Sequence, residues 1–305
     1  MSNSNTRAAR LSGVPSQIPA SLLPLRLLAL LPLRVLRVLG CLLGDLIYRL
    51  NSKRRRIAGI NLGMCFPEWT EQRKARLLRQ HFRVMGQSYM DIVFLVWASN
   101  RRFESKISVT GLENLRAAHA RGRRVILLAP HCVGMNVGGI IVSRHETVFS
   151  MFKPQRSRNI NWMLERARAR YGAPLIARNQ GLRPVLRALD DGMIFYYLPD
   201  EDFGPQRSVF APFFGVPTAT LPTLGRLAER ANADVIPCFT RLLPRGRGYE
   251  VRLCPPLANF PTGDRVDDAA RMNAALEDGI RAMPEQYMWT FKLFKTRPHG
   301  PSPYG

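Results

Sequence analysis

The chain has 305 residues, of which 46% are hydrophobic and 22% are charged, so its composition excludes a disordered protein. Lys and Arg number 45 while Asp and Glu number 22, which leaves a formal net charge of +23. A charge of this size predicts an anionic partner. Nucleic acid, anionic lipid headgroups and an acidic carrier protein all meet that requirement.

The N-terminal part divides into a polar start and an apolar segment. Residues 1–17 are small and polar, which predicts a loose terminus. Residues 18–50 are rich in Leu and Val but lack the uncharged stretch of about 18 residues that a plain membrane span requires. On one continuous helix, Arg26, Arg34 and Arg37 would fall within an arc of about 80°. We therefore predict an amphipathic, membrane-associating helix. A tilted span with snorkelling arginines and a helix packed on its own domain remain alternatives.

A basic run, Lys53-Arg54-Arg55-Arg56, follows this segment directly. Such a run is typical of a cytoplasmic juxtamembrane patch, which would place the rest of the chain on the cytoplasmic side, although a solvated helix face has the same composition. No internal repeat or low-complexity linker follows residue 50. We therefore predict an anchor segment over residues 1–50 and one domain over residues 51–305.

The domain begins with helical sequence up to about residue 100, in which Thr70 is the expected N-cap of a helix with Glu71 in its first turn. Apolar runs then alternate with amphipathic segments. We predict strands at 106–110, 124–129, 147–152, 193–198, 234–240 and 249–254, and helices at 112–121, 157–171, 181–190 and 218–231. This alternation predicts an α/β fold with a mixed sheet flanked by helices on both faces.

The hexapeptide His131-Cys132-Val133-Gly134-Met135-Asn136 follows one of the apolar strands. Ligands of open α/β sheets bind where strands end, and imidazole is suited to accept a proton near neutral pH. A histidine that caps the strand or bonds within the core is the alternative. Cys132 points away from His131 in an extended segment, which argues against a Cys-His pair. The five scattered cysteines indicate reduced thiols and no zinc site.

Two further groups of charged residues bear on this site. The cluster 200–202, Asp-Glu-Asp, follows the predicted strand 193–198, so it should face the same crevice as His131. A metal site, a cationic contact and a solvated turn all fit the cluster. Arg158, Arg166 and Arg170 can share one helix face, which makes a phosphate-binding wall possible.

Several separate blocks, in a fixed order, carry a family resemblance. They are Lys53-Arg-Arg-Arg56, Asn61-Leu-Gly-Met-Cys-Phe-Pro-Glu68, Ala129-Pro-His131, Pro199-Asp-Glu-Asp-Phe-Gly-Pro205, Ser208-Val-Phe-Ala-Pro-Phe-Phe-Gly215, Pro284-Glu-Gln-Tyr-Met-Trp289 and Phe294-Lys-Thr-Arg-Pro298. In these blocks the chain resembles the bacterial lipid A late acyltransferases of the lauroyl and myristoyl transferase type. That family lies within the lysophospholipid and glycerol phosphate acyltransferase superfamily.

The resemblance implies transfer of a fatty acyl group from acyl carrier protein to a hydroxyl of a phosphorylated, partly acylated glucosamine disaccharide. The reaction would take place at the cytoplasmic face of the bacterial inner membrane. The positive charge would then attract an acidic carrier and an anionic lipid. On this interpretation nucleic acid is not a partner, and neither a metal nor a cofactor is needed. Acylation of a lysophospholipid or lysophosphatidate is the alternative reaction.

The resemblance also implies roles for residues. His131 would be the general base, but the acidic residue at the sixth position of the family motif is here Asn136. An amide orients an imidazole without stabilising the imidazolium, so a weakened or inactive member is an alternative. Our hypothesis is that a carboxylate of the cluster 200–202 partly substitutes, or that Asn136 suffices for slow turnover. The predicted substrate contacts are Arg158, Arg166, Arg170, Asp200 and Asp202.

Overall fold

A seven-stranded sheet lies at the centre of the computed structural model, which describes residues 17–153 and 156–305. Its strands are β1 (Ile107–Thr110), β2 (Arg124–Leu128), β3 (Val148–Phe152), β4 (Leu175–Ala177), β5 (Ile194–Tyr197), β8 (Ala233–Leu243) and β9 (Gly248–Leu253), while β6 (Val209–Phe213) and β7 (Val216–Thr220) form a separate hairpin. The order in the sheet is β1-β9-β8-β2-β5-β3-β4. The run from β8 to β4 is parallel, and β9 pairs antiparallel with β8 and parallel with β1.

Helices flank this mostly parallel sheet, so the predicted mixed α/β fold is confirmed. They are α1 (Leu23–Leu28), α2 (Leu33–Leu50), α3 (Ser52–Cys65), α4 (Glu71–Trp97), α5 (Asn100–Glu104), α6 (Leu112–Ala120), α7 (Met135–Val142), α8 (Arg158–Arg168), α9 (Arg183–Asp190), α10 (Thr223–Arg230) and α11 (Arg265–Ala282). The Thr70 side chain accepts from the Arg73 amide at 3.3 Å, so the predicted N-cap of α4 is present. The central strands β2 and β5 are almost wholly buried, as expected of apolar parallel strands covered on both faces.

The predicted helix 218–231 is wrong over its first part. Thr218 and Thr220 belong to β7, which pairs with β6, and the helix begins only at Thr223. The hairpin turns at Phe214 and Gly215, whose φ values of 51° and 73° are those of a tight two-residue turn. β-branched Val and Thr residues favour the strand here. The short strand β4 was not predicted, because three half-buried residues give no periodic signal.

The apolar N-terminal segment is not one continuous helix. The helix direction bends by 120° between Ala20–Leu28, which includes α1, and α2, and Pro32 is the N-cap of α2. Arg26 and Arg34 are exposed, but Arg37 is buried and pairs with Asp91 at 3.0 Å. The predicted stripe of three arginines is therefore wrong, because the break changes the helix direction and Arg37 lies on the packed face. The predicted loose start falls, apart from Gln17, outside the described residues.

Membrane association remains a prediction at this level. Within the described ranges no single helix is long and apolar enough to cross a bilayer, whereas the bent pair Ala20–Leu28 and Leu33–Leu50 meets the length and composition requirements together. The basic run lies at the start of α3. Three of its arginines donate to backbone carbonyls, Arg54 to Thr290, Arg55 to Tyr48 and Arg56 to Tyr304.

α2 packs closely on α4 and leaves its other side open. A Cβ atom added to Gly86 of α4 would lie 2.2 Å from the Gly40 carbonyl oxygen of α2, so glycine is required at this crossing. On the opposite side, apolar residues at helical spacing are exposed. We call Val35, Val38, Leu42 and Leu46 the outer apolar face of α2; each is at least 41% exposed. Leu27 and Leu30, which precede α2 in the chain, are also exposed, at 69% and 73%.

Candidate active site

His131 lies just beyond the carboxyl end of β2, and Asp200 lies just beyond the carboxyl end of the neighbouring strand β5. The two strands are parallel, with Leu128 opposite Tyr197, so both loops leave the sheet at the same edge. The His131 backbone amide donates to Oδ2 of Asp200 at 2.8 Å. The His131 carbonyl in turn accepts from the Met288 amide at 2.9 Å, so its backbone is fixed from two sides.

The side chains of the same two residues are also bonded. Nδ1 of His131 lies 2.7 Å from Oδ1 of Asp200, and the two side chains are only 8% and 5% exposed. A carboxylate is an acceptor only, so Nδ1 carries the hydrogen and Nε2 is left for a second partner. The Phe291 ring packs against the imidazole with 5.3 Å between ring centroids. Asp200 therefore fixes both the tautomer and the direction of the ring.

Burial and neighbouring charges set the pKa of the His131 imidazole. Burial by itself lowers the pKa of His131, but the Asp200 charge, the hydrogen bond to Asp200 and the Glu201 charge together raise the pKa above its ordinary value. Burial by itself raises the pKa of Asp200, while the His131 charge and the hydrogen bonds from His131 bring that pKa below its ordinary value. Asp200 is thus an anion beside a ring that takes up a proton readily.

A second carboxylate lies at the other ring nitrogen. Oε1 of Glu201 is 3.5 Å from Nε2 of His131, and Oε2 of Glu201 pairs with Nη1 of Arg178 at 2.7 Å. The Arg178 guanidinium stacks on the Phe203 ring at 5.4 Å from its centroid. The imidazole therefore lies between two carboxylates, and Glu201 has the Arg178 cation as a further partner.

A cavity of about 590 Å³ opens beside His131. This volume is in the range of small-molecule sites. Its wall is mostly apolar and includes Met135, Ile140, Val148, Phe149, Met151, Leu164, Leu175, Phe195, Leu198 and Leu227. Cationic side chains also line it, namely Lys153, Arg168, Arg178 and Arg207. The arrangement can hold an apolar chain with its polar end at the imidazole.

Asn136 also lines this cavity, in the first turn of α7, but its partner is not the imidazole. Its Oδ1 accepts from Nη2 of Arg168 at 2.7 Å. Among the residues that the structure describes, it forms no hydrogen bond with His131. The carboxylate that orients the ring is Asp200, and Asn136 instead holds a cation in the cavity wall. Burial lowers the pKa of Arg168, which shows how strongly this guanidinium is desolvated.

The predicted arginine wall does not gather at the cavity. Arg158 and Arg166 are exposed, and none of the three predicted arginines is among the lining residues. The Arg170 guanidinium donates to the carbonyls of Leu95 and Ala98, each at 2.6 Å, and so ties the turn that follows α8 to the end of α4. A role of these arginines in substrate binding stays a prediction.

Asp202 and Cys132 serve other contacts. The Asp202 carboxylate accepts from the Thr296 amide at 2.6 Å and from the Thr296 hydroxyl at 2.8 Å, so it fastens the C-terminal segment to the loop after β5. Burial raises the pKa of Cys132 to about 12, and its thiol faces the Thr240 carbonyl. Cys132 is therefore a neutral thiol pointing away from the imidazole. In residues 17–153 and 156–305, no group of three or more His, Cys, Asp or Glu side chains is arranged to hold a metal ion.

The site residues predicted from the sequence did not include Arg168, Arg178 or Phe291, and they included Glu201 only as a member of the cluster 200–202. Glu201 belongs to the acidic cluster that the sequence singled out, but nothing in the sequence indicates which imidazole nitrogen it faces. Arg168 lies beside the arginines that were selected by helical spacing. Arg178 lies just after β4, a strand that was not predicted, so no pattern indicated it.

Comparisons with known proteins give matches over most of the chain. The sequence profile of the family described as bacterial lipid A biosynthesis acyltransferase matches residues 18–296. A lipid A biosynthesis acyltransferase of Haemophilus influenzae is 36% identical over 281 residues, which cover 92% of this chain and 88% of that protein.

Two proteins of Escherichia coli are also similar. The lipid A biosynthesis lauroyltransferase is 34% identical over 276 residues, with 90% of each chain covered. The lipid A biosynthesis myristoyltransferase is 32% identical over 259 residues, which cover 85% of this chain and 80% of that protein.

Proposed function

The chain belongs to the family of bacterial lipid A biosynthesis acyltransferases, and from that premise we propose its reaction in detail. It transfers a fatty acyl group from the thioester of an acyl carrier protein to a hydroxyl of a phosphorylated, partly acylated glucosamine disaccharide. The observation that carries the proposal is the imidazole of His131, fixed by Asp200 at 2.7 Å, beside a largely apolar cavity of about 590 Å³.

His131 is the general base of this reaction. Its Nε2 accepts the proton of the acceptor hydroxyl while that oxygen attacks the thioester carbonyl. The C–S bond then breaks, and the imidazolium returns the proton to the departing sulfur of the carrier. The Asp200 carboxylate, bonded to Nδ1, stabilises the imidazolium that forms between these steps. The charge that the family motif supplies at its sixth position is not needed for this, because Asp200 is already in contact with the ring.

Charge and apolar surface support the choice of substrates. The net charge of +23 attracts both an acidic carrier protein and an anionic lipid by long-range steering. Cations in the cavity wall, above all Arg168 and Arg178, can meet phosphate groups of the acceptor. The apolar lining suits a fatty acyl chain.

The outer apolar face of α2 suits contact with a membrane. Exposed Leu and Val residues, together with exposed Arg34 at the start of the same helix, fit an interfacial attachment to an anionic bilayer. On this proposal the protein works at the cytoplasmic face of the inner membrane, where a lipid acceptor and a soluble carrier can meet.

An acyl transfer assay tests the proposal. The purified protein is given carrier proteins charged with acyl chains of increasing length, together with the disaccharide lipid or with lysophosphatidate, and the products are weighed by mass spectrometry. We expect the disaccharide lipid to gain one acyl group, with chelator present or absent. A product from lysophosphatidate alone, or no acylated lipid with any donor, would refute the proposed reaction.

A further inference from the structure

The ring nitrogen that has to receive the acceptor proton already has a neighbour. Asp200 is at Nδ1, at 2.7 Å, and Glu201 is at Nε2, at 3.5 Å. We propose that Glu201 is a positioning residue that covers Nε2 in the free protein, and that the acceptor hydroxyl has to displace it before proton transfer. This inference rests on the proposed function and adds that the base is covered until the acceptor binds.

The placement of the carboxylates fits a protonated ring. A neutral imidazole with hydrogen on Nδ1 has a lone pair on Nε2, and a carboxylate beside a lone pair is repelled. An imidazolium has hydrogen on both nitrogens, so each carboxylate then faces a donor. A protonated ring is not a base. The geometry therefore describes a resting state in which the Nε2 site is covered and occupied by a proton.

The two carboxylates differ in how firmly they are held. The Asp200 side chain is 5% exposed and accepts both the backbone amide and Nδ1 of His131, so it cannot leave without losing two hydrogen bonds. The Glu201 side chain is 31% exposed, and its bond to Arg178 uses Oε2, whereas Oε1 faces the ring. Glu201 can thus turn away from Nε2 and keep Arg178 as its partner.

The groups around the ring act on its pKa in opposite directions. Asp200 and Glu201 favour the protonated ring, Arg178 and burial oppose it, and together they raise the pKa of His131. Asn136 and Arg168 lie further along the same cavity wall, and buried Tyr287 lies beside Asp200. The working base forms when the Nε2–H bond breaks, the proton passes to water and the electron pair stays on nitrogen. Removing the Glu201 charge should make this step occur at lower pH.

The experiment compares Glu201→Gln with the parent protein. Gln keeps an oxygen for Arg178 but has no charge for the ring. Glu229→Gln is the matched control, because it removes the same charge from an exposed position of α10 that does not line the cavity. Histidine-selective isotope labelling and NMR give the titration midpoint of His131, which is assigned with His131→Gln. The pH profile of kcat/KM and the acceptor KM are measured on the same proteins.

We expect the His131 midpoint in Glu201→Gln to fall by about one pH unit, with the acid limb of kcat/KM moving by the same amount. At pH between the two midpoints the acceptor KM should be lower in Glu201→Gln than in the parent protein, and this difference should vanish above both midpoints, where the neutral ring no longer attracts Glu201. An unchanged midpoint in Glu201→Gln, or an equal shift in Glu229→Gln, would overturn the inference. So would a collapse of kcat at high pH, which would make Glu201 a reacting group. A protein that transfers no acyl group would refute the proposed function instead, since the NMR midpoint reports on Glu201 independently of turnover.

Discussion

The Asp200 carboxylate binds His131 twice, through Oδ1 to the ring nitrogen Nδ1 at 2.7 Å and through Oδ2 to the backbone amide at 2.8 Å. Two bonds from one carboxylate fix both where the histidine is and how its ring is turned. Because the pair is almost fully buried, its interaction is little weakened by solvent.

Asp200→Asn should remove most of the activity. The amide cannot stabilise the imidazolium and can hold the ring in the wrong tautomer, so we expect kcat to fall by about a thousandfold to ten-thousandfold, as in other carboxylate-histidine sites. Asp202→Asn is the contrast, because Asp202 binds Thr296 and not the ring. It should lower the melting temperature with little change in kcat. Equal losses of kcat in the two variants would contradict the assignment.

Asn136→Asp should change stability more than rate. The new carboxylate would face Nη2 of Arg168, which Asn136 now meets at 2.7 Å, and would give this desolvated cation a charged partner. We expect a higher melting temperature and a kcat within about tenfold of the parent value, which corresponds to about 1.4 kcal/mol in the barrier. Steady-state rates and thermal unfolding check this. A gain of about a hundredfold in kcat would show that the missing acid limits the reaction.

The comparison of sequence with structure shows what local patterns can predict. The apolar runs of β2 and β5 predicted two buried strands, and parallel strands bring their carboxyl ends to one edge, so the meeting of His131 with the cluster 200–202 was foreseeable. The burial of Arg37 could not be predicted in this way, because its partner Asp91 lies on another helix far along the chain. Helical periodicity reports which residues share a face, but not whether that face is covered.

The same limit applies within the site. The family resemblance drew attention to position 136, whereas the structure shows Asn136 bonded to Arg168 and Asp200 bonded to the ring. Differences of a few ångström in the course of the loops decide which of several carboxylates contacts an imidazole. Sequence spacing does not determine those paths, since the residues concerned are about seventy positions apart.

Charges placed on the outer apolar face of α2 should weaken membrane binding. Leu42 and Leu46 are 61% and 51% exposed, and the double change Leu42→Glu with Leu46→Glu removes apolar contact and adds repulsion from anionic lipid. We expect sedimentation with anionic vesicles to weaken by about tenfold or more. Val266→Glu is the control, since Val266 is 47% exposed on another helix, α11. Equal binding of the double variant and the parent to the vesicles would show that the outer apolar face is not the attachment surface.

His81 should make the fold sensitive to acid. It is fully buried, and burial lowers its pKa from 6.5 to about 4, against a hydrogen bond with the Glu285 carbonyl that raises it. The unfolded chain therefore binds a proton more readily than the fold, and stability is lost as pH falls from 6.5 towards 4. The loss is on the order of 2 to 3 kcal/mol.

His131, whose pKa is raised, acts in the opposite direction, because its contribution is complete below pH 6.5 and is lost above its folded pKa. The effect of His81 is therefore measured as a difference between variants. In His81→Asn, the amide nitrogen can still donate to Glu285, but nothing at position 81 titrates. The free energy of unfolding of this variant, measured with urea, should change less between pH 6.5 and pH 4.5 than that of the parent protein. An equal change in the free energy of unfolding of the two proteins would contradict a buried neutral imidazole at position 81.

The most direct test of the account is the single-turnover rate of acyl transfer in His131→Ala beside the parent protein, with saturating acyl carrier protein thioester and disaccharide lipid. We predict that the variant folds, binds both substrates and loses at least about a thousandfold in rate, because alanine cannot accept the hydroxyl proton that we assign to the imidazole. A variant that transfers the acyl group as fast as the parent would contradict it.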